Sequence, residues 1–154
     1  MKLAEALLER KRIKEEIYAL RMRAIADARV QEGDKPSEDP AELAERIMNL
    51  ADRLEKITVA VNRTNMVAKL LDGRTLMEAI ACRDILKLKC EVAKDLADAA
   101  AGSKEYRTMR SEIKFVPAVD VAFWRKKADG YAKAYRELDA AIQAANWSVD
   151  MLEE

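Results

Sequence analysis

Apolar residues recur at alternating spacings of three and four through most of the chain. In the first segment they are Leu3, Ala6, Ile13, Ile17, Leu20 and Ala24. Side chains at these spacings share one face of a helix, which predicts a helix over about residues 2–30. Arg10 interrupts the seam, and its long stem can carry the guanidinium out to water. A second run, Leu43, Ile47, Leu50, Leu54, Ile57 and Val61, predicts a helix over about 40–65. Asp39-Pro40-Ala41-Glu42 marks its start, with an acceptor at the cap and proline at the first helical position. Gly33, Pro36 and Pro40 make the intervening stretch a loop, so these two helices form an antiparallel pair.

Asp72-Gly73 breaks the pattern, and Thr75-Leu76-Met77-Glu78 reads as a capping box opening a helix over about 76–101. Its seam is Leu76, Ala79, Leu86, Cys90, Ala93, Ala97 and Ala100. A second stripe, Ala81, Ile85, Leu88 and Val92, widens the apolar surface, and two stripes imply a broad buried face. Gly102 suits the helix end. Residues 102–118 are irregular, with a possible extended piece from Ser111 to Val116. Asp120 caps a fourth helix over about 120–146, with a seam of Val121, Trp124, Ala128, Tyr131, Tyr135, Leu138, Ile142 and Ala145. Gly130 inside it suggests a close approach, and Asn146 suits its end. The expectation is an all-α fold in one domain, 1–154. It is an antiparallel four-helix bundle, or else two coiled-coil hairpins joined by oligomerisation.

Composition sharpens this. Of 154 residues, aromatics are 5%, with Gly 4 and Pro 3, a poverty that argues against sandwiches and barrels. Histidine is absent. That excludes Ser-His-Asp and Cys-His catalysis, histidine metal sites and the Glu-x-x-His pairs of di-iron bundles. Cys82 and Cys90 stand on one helix roughly 12 Å apart along its axis, too far for a disulfide. They read as small core residues in a reducing cytosol. No apolar run approaches the roughly 20 residues of a spanning helix, and the charged N-terminal stretch carries no signal-peptide pattern. The expected compartment is the cytoplasm, and no cofactor or metal is implied.

Lys+Arg and Asp+Glu are both 28, but the balance is uneven. Residues 1–31 carry net +3 and residues 32–56 net −4, a complementarity that helps the first two helices choose each other. Residues 102–127 carry net +4 and residues 128–154 net −4. In the basic stretch, Lys104, Arg107, Arg110, Lys114, Arg125, Lys126 and Lys127 alternate with Tyr106, Phe115 and Trp124. This is a candidate face for phosphate, for an anionic surface or for base stacking. The heptad sends Trp124 to the core, so a solvated face is the favoured reading and a nucleic-acid partner is not.

A candidate ligand site gathers where an up-down bundle brings its second connection and its termini to one end. Arg63 and Arg74 can clamp a carboxylate or phosphate. Asn65 and Asn146 donate and accept, Trp147 stands beside them, and the third helix adds its N-terminal N–H groups. The competing reading makes these residues helix caps and ties. Arg83 falls on a seam position and is expected to pair with Asp139, while Asp95 and Asp98 face solvent.

Several strings in order, MKLAEALLER, VQEG, NRTN at 62–65, DGRTL at 72–76, RSEIK at 110–114 and ELDAAIQAANW at 137–147, resemble a family of short bacterial helical proteins often labelled septicolysin. The resemblance covers about residues 1–147 and implies a pore-forming activity, with no catalytic residues to carry over. The residues themselves favour a non-enzymatic, homo-oligomeric scaffold or binding protein, with a protein partner possible. A membrane-active protein and an anion-binding protein or enzyme at the Arg63/Arg74 end are the alternatives.

Overall fold

The computed structural model describes residues 1–102 and 113–152. Among the described residues there are four α-helices: α1 Leu3–Ala26, α2 Pro40–Val67, α3 Leu76–Ala101 and α4 Val121–Ser148. No strand longer than an isolated bridge occurs among the described residues. The fold is all-α, and the chain divides into two compact units, residues 1–69 with 144–154, and residues 70–143.

The first unit is built on α1 and α2. Leu3, Ala6, Ile13 and Leu20 are buried along α1, and Leu43, Ile57, Ala60 and Val61 along α2. Arg10 is half-buried in the α1 seam. Three ion pairs fix an antiparallel register. Glu9 meets Arg53, Glu16 meets Arg46, and Arg23 meets Glu38. Each step forward by one heptad on α1 is a step back of seven or eight on the other strand of the hairpin. The first two helices pair as expected, but the individual ion pairs follow the segment charges only in part. Two of the three carry a glutamate from the net-positive segment to an arginine of the net-negative one. Local register, not the net charge of each helix, selects the contacts. The arginine of each pair is at least half solvent-exposed, and ion pairs screened by water in this way set register more than stability.

Helix α1 stops at Ala26, four residues short of the predicted end at about residue 30. Asp27 ends it: its N–H donates to the Arg23 carbonyl at 3.2 Å, and its carboxylate accepts the Glu38 N–H at 3.1 Å. The loop is thereby tied to the helix end, and Gly33 turns it at φ +89. Asp39 caps α2 as expected, accepting from the Ala41 N–H at 2.8 Å.

The second unit opens with a tight turn. The Leu70 N–H donates to the Arg74 carbonyl at 2.8 Å, and the Gly73 N–H to the Leu70 carbonyl at 3.0 Å. Gly73 sits at φ +88, a region that favours glycine. Thr75 and Glu78 then form the reciprocal capping box, at 3.2 and 2.8 Å. Contacts along the unit show α3 and α4 antiparallel. Arg83 pairs with Asp139 at 3.0 Å, the Cys90 thiol donates to the Ala128 carbonyl at 3.4 Å, and Arg125 pairs with Asp98 at 3.2 Å. Along α4 the seam residues Ala128, Leu138 and Ile142 are buried.

Two expectations for this unit change. Only one stripe of α3 is covered: Ala79, Ala93 and Ala97 are buried, but Ile85, Leu88 and Val92 are 50%, 53% and 56% exposed. The two stripes lie on different sides of the helix: Leu88 stands nine residues from both Ala79 and Ala97, which at 3.6 residues per turn is half a turn away. They are two faces rather than one broad one. Gly130 marks no close packing, since a Cβ there meets nothing within 4 Å. It simply costs about 1 kcal/mol of helix propensity.

Candidate functional site

The polar residues near the end of α2 serve first as a tie. Thr64 is 1% exposed. Its hydroxyl donates to the Ala60 carbonyl one turn back at 2.8 Å and accepts the Leu152 N–H at 3.0 Å. The same tail pairs with the start of α1. The Leu3 N–H donates to the Val149 carbonyl at 2.9 Å, and the Met151 N–H to the Met1 carbonyl at 2.9 Å. Lys2 bridges Asp150 at 2.8 Å and donates to the Ser148 carbonyl at 3.0 Å. Beginning, α2 end and tail of the first unit are thus stitched at one place by backbone bonds, with Thr64 the buried side chain among them.

Of the candidate ligand-binding residues, Arg63 and Asn65 flank Thr64 on the last turns of α2, with Arg63 exposed and Asn65 half-buried. Asn146 is buried and Trp147 is 57% exposed on the last turn of α4. These four belong to the first unit, whereas Arg74 belongs to the second. The Arg74 guanidinium is occupied locally. It holds Asp72 through Nε at 2.9 Å and a second nitrogen at 2.6 Å, and its N–H donates to the same carboxylate at 3.0 Å. Asp72 therefore already fills the fork that an anion would need. Thr64 is the buried polar residue that the sequence pattern leaves outside the candidate site. It occupies the next seam position after Ile57 and Val61, where a polar residue in an apolar register signals a buried hydrogen bond.

The basic stretch is described only in part. Lys104, Arg107 and Arg110 lie outside the described residues, as does Tyr106. Lys114 is exposed. Arg125 is drawn to Asp98, so its charge is compensated within the unit. Trp124 is half-buried and meets Phe123 edge-on at 5.4 Å, with Lys127 over the Phe123 ring at 5.6 Å. Phe123, Lys126, Lys127, Gly130 and Tyr131 line an open groove on α4. Arg83 joins Asp139 as the seam position required, and also touches Asp84 at 3.1 Å. Asp95 and Asp98 are exposed. Among the described residues no group of three His, Cys, Asp or Glu could hold a metal, and no helix is long and apolar enough to cross a membrane.

Among the described residues, Glu38, Asp72 and Asp150 are held below their ordinary pKa. Hydrogen bonds from Arg23, Arg74 and Lys2 stabilise the ionised forms of Glu38, Asp72 and Asp150 respectively. A lowered folded-state pKa favours folding above the unfolded carboxylate range of about 3.9–4.3, and the contribution disappears as pH falls through the folded value. Urea midpoints should therefore be flat near neutrality and decline below about pH 5. The combined Glu38→Gln, Asp72→Asn and Asp150→Asn variant should show a shallower acid limb. An identical limb would mean these pairs do not drive the acid response.

No curated protein sequence matches the chain. A solved structure does: the crystal structure of a functionally unknown conserved protein from Corynebacterium diphtheriae is 40% identical, covers 99% of each chain and superposes with a TM-score of 0.93. At the level of family models, residues 10–151 match one described as a family of unknown function. The chain belongs to that family, DUF6847.

Proposed function

We propose that this protein is a non-enzymatic, homo-oligomeric helical scaffold that works in the cytoplasm. The observation that carries the proposal is the outer face of α3, where Ile85, Leu88 and Val92 stand half-exposed on the side opposite a seam that is already filled. Apolar residues at helical spacing on a second face of one helix are what a further helix needs in order to pack. The residue inventory supports the non-enzymatic part: the chain has no histidine, and Arg74 is engaged by the carboxylate of Asp72, two residues away in its own turn.

Light scattering on a dilution series tests the reading. A discrete multiple of the 17.4 kDa chain mass is the expected result. A single-chain mass at every concentration overturns it. The septicolysin resemblance makes a different forecast for the same sample, dye release from anionic vesicles at low protein-to-lipid ratio. A scaffold leaves those vesicles intact.

A further inference from the structure

We infer that the outer face of α3 is a parallel, two-fold seam with α3 of a second copy of this chain, an assignment that rests on the oligomeric reading above and names its partner. The residues on that face fall into heptad register. Ile85 and Val92 occupy a positions, and Ala81 and Leu88 occupy d positions. β-branched residues at a with leucine at d favour two-stranded parallel packing. The face is exposed at each of its large positions, with Ile85 at 50%, Leu88 at 53% and Val92 at 56%.

The flanking charges choose the same orientation. Asp84, Glu91 and Asp98 occupy the g positions, and Lys89 occupies an e position. A parallel pair sets each g residue against the e residue of the next heptad on its partner, which brings Asp84 to the partner's Lys89, twice by symmetry. An antiparallel pair sets g against g and lines up acidic rows from both copies. Like charges so placed are destabilising. Asp84 is free enough to accept a second donor, because its side chain remains 63% exposed beside Arg83. Lys89, lying over the Tyr131 ring at 5.8 Å, is held on the flank of the same face. Asp95 at the next d position ends the seam, and Glu78, engaged in the capping box, bounds it on the other side. The seam from Ala81 to Val92 is about 16 Å long at 1.5 Å per residue. Such a short contact associates reversibly, and it needs no folding of its own because α3 is already a helix of its unit.

The test combines one disruption, one charge exchange and one cross-link, each with circular dichroism as a check of folding. Leu88→Glu should leave helicity unchanged and give a monomer. Asp84→Lys should weaken the dimer about tenfold, and so should Lys89→Asp, while the double exchange restores it. In a Cys82→Ser, Cys90→Ser background, Leu88→Cys should form a disulfide-linked dimer, because d positions meet their own copies only in a parallel pair. An oligomer that ignores Leu88→Glu overturns this seam and leaves the oligomeric reading standing. A dimer tightened by Asp84→Lys and not cross-linked through position 88 overturns the parallel arrangement. A wild-type chain that is monomeric throughout overturns both, and vesicle binding lost in Leu88→Glu would then assign the face to lipid.

Discussion

Replacing Ile13 by alanine is expected to cost about 2–5 kcal/mol of folding stability. Ile13 is 0% exposed and lies near the middle of the α1 seam. The change removes three carbon atoms from a site that water does not reach, so the transfer free energy of those atoms is lost together with packing against the cavity that remains. Helix α1 cannot collapse freely to fill it. Glu9 and Glu16 stand on either side and hold the backbone in register with Arg53 and Arg46. At about 1–3 kcal/mol per molar in urea, the midpoint should fall by roughly 1–2 M. Tyr18→Ala is the control. Tyr18 lies on the same helix but is 67% exposed, and its loss should change stability by at most about 0.5 kcal/mol. Equal effects for the two substitutions would mean that the α1 seam is not where this hairpin derives its stability.

The same contrast separates what the amino-acid pattern reveals from what it conceals. The spacings that place Ile13 and Leu20 inside and Tyr18 outside are local and periodic, and the structure follows them. The caps at Asp39 and Thr75 are equally legible, since each depends on residues within three positions. The span 76–101 of α3 follows from such signals alone. Errors enter where the controlling contact is remote. The end of α1 is set by Asp27 reaching the Glu38 N–H across a loop, and no periodicity encodes that reach. The second stripe of α3 is apolar in the sequence, but its pattern cannot say whether the covering partner lies in the same chain. In the candidate site, Arg63 and Arg74 carry the chemistry an anion needs, and Asp72 changes what Arg74 can do. Two residues apart, that carboxylate was visible, but its engagement depends on the turn closed between Leu70 and Arg74. The Arg83–Asp139 pair was legible because both residues sit at one end of an antiparallel hairpin whose register the heptads define.

The tie at Thr64 carries the second large effect. Thr64→Val keeps the side-chain shape and removes the hydroxyl. The Ala60 carbonyl loses only a supplementary donor. The Leu152 N–H loses the acceptor the structure gives it, at 3.0 Å. A backbone donor left without a partner away from water costs about 1–3 kcal/mol, whereas the net value of an ordinary hydrogen bond is nearer 1 kcal/mol. The penalty can be reduced by releasing the tail, because water then takes the place of the hydroxyl. Thr64→Val should therefore appear less as global unfolding than as local opening. Amide exchange at Leu152 should accelerate, followed by Met151 and Leu3, whose N–H groups join the tail to the start of α1. Exchange in the middle of α2 should hardly change. Thr64→Ser, which retains the hydroxyl, should protect Leu152 nearly as well as threonine does. Should Leu152 exchange at the same rate in the valine and serine variants, the hydroxyl is not what holds the tail, and the backbone pairs with Met1 and Leu3 are sufficient by themselves.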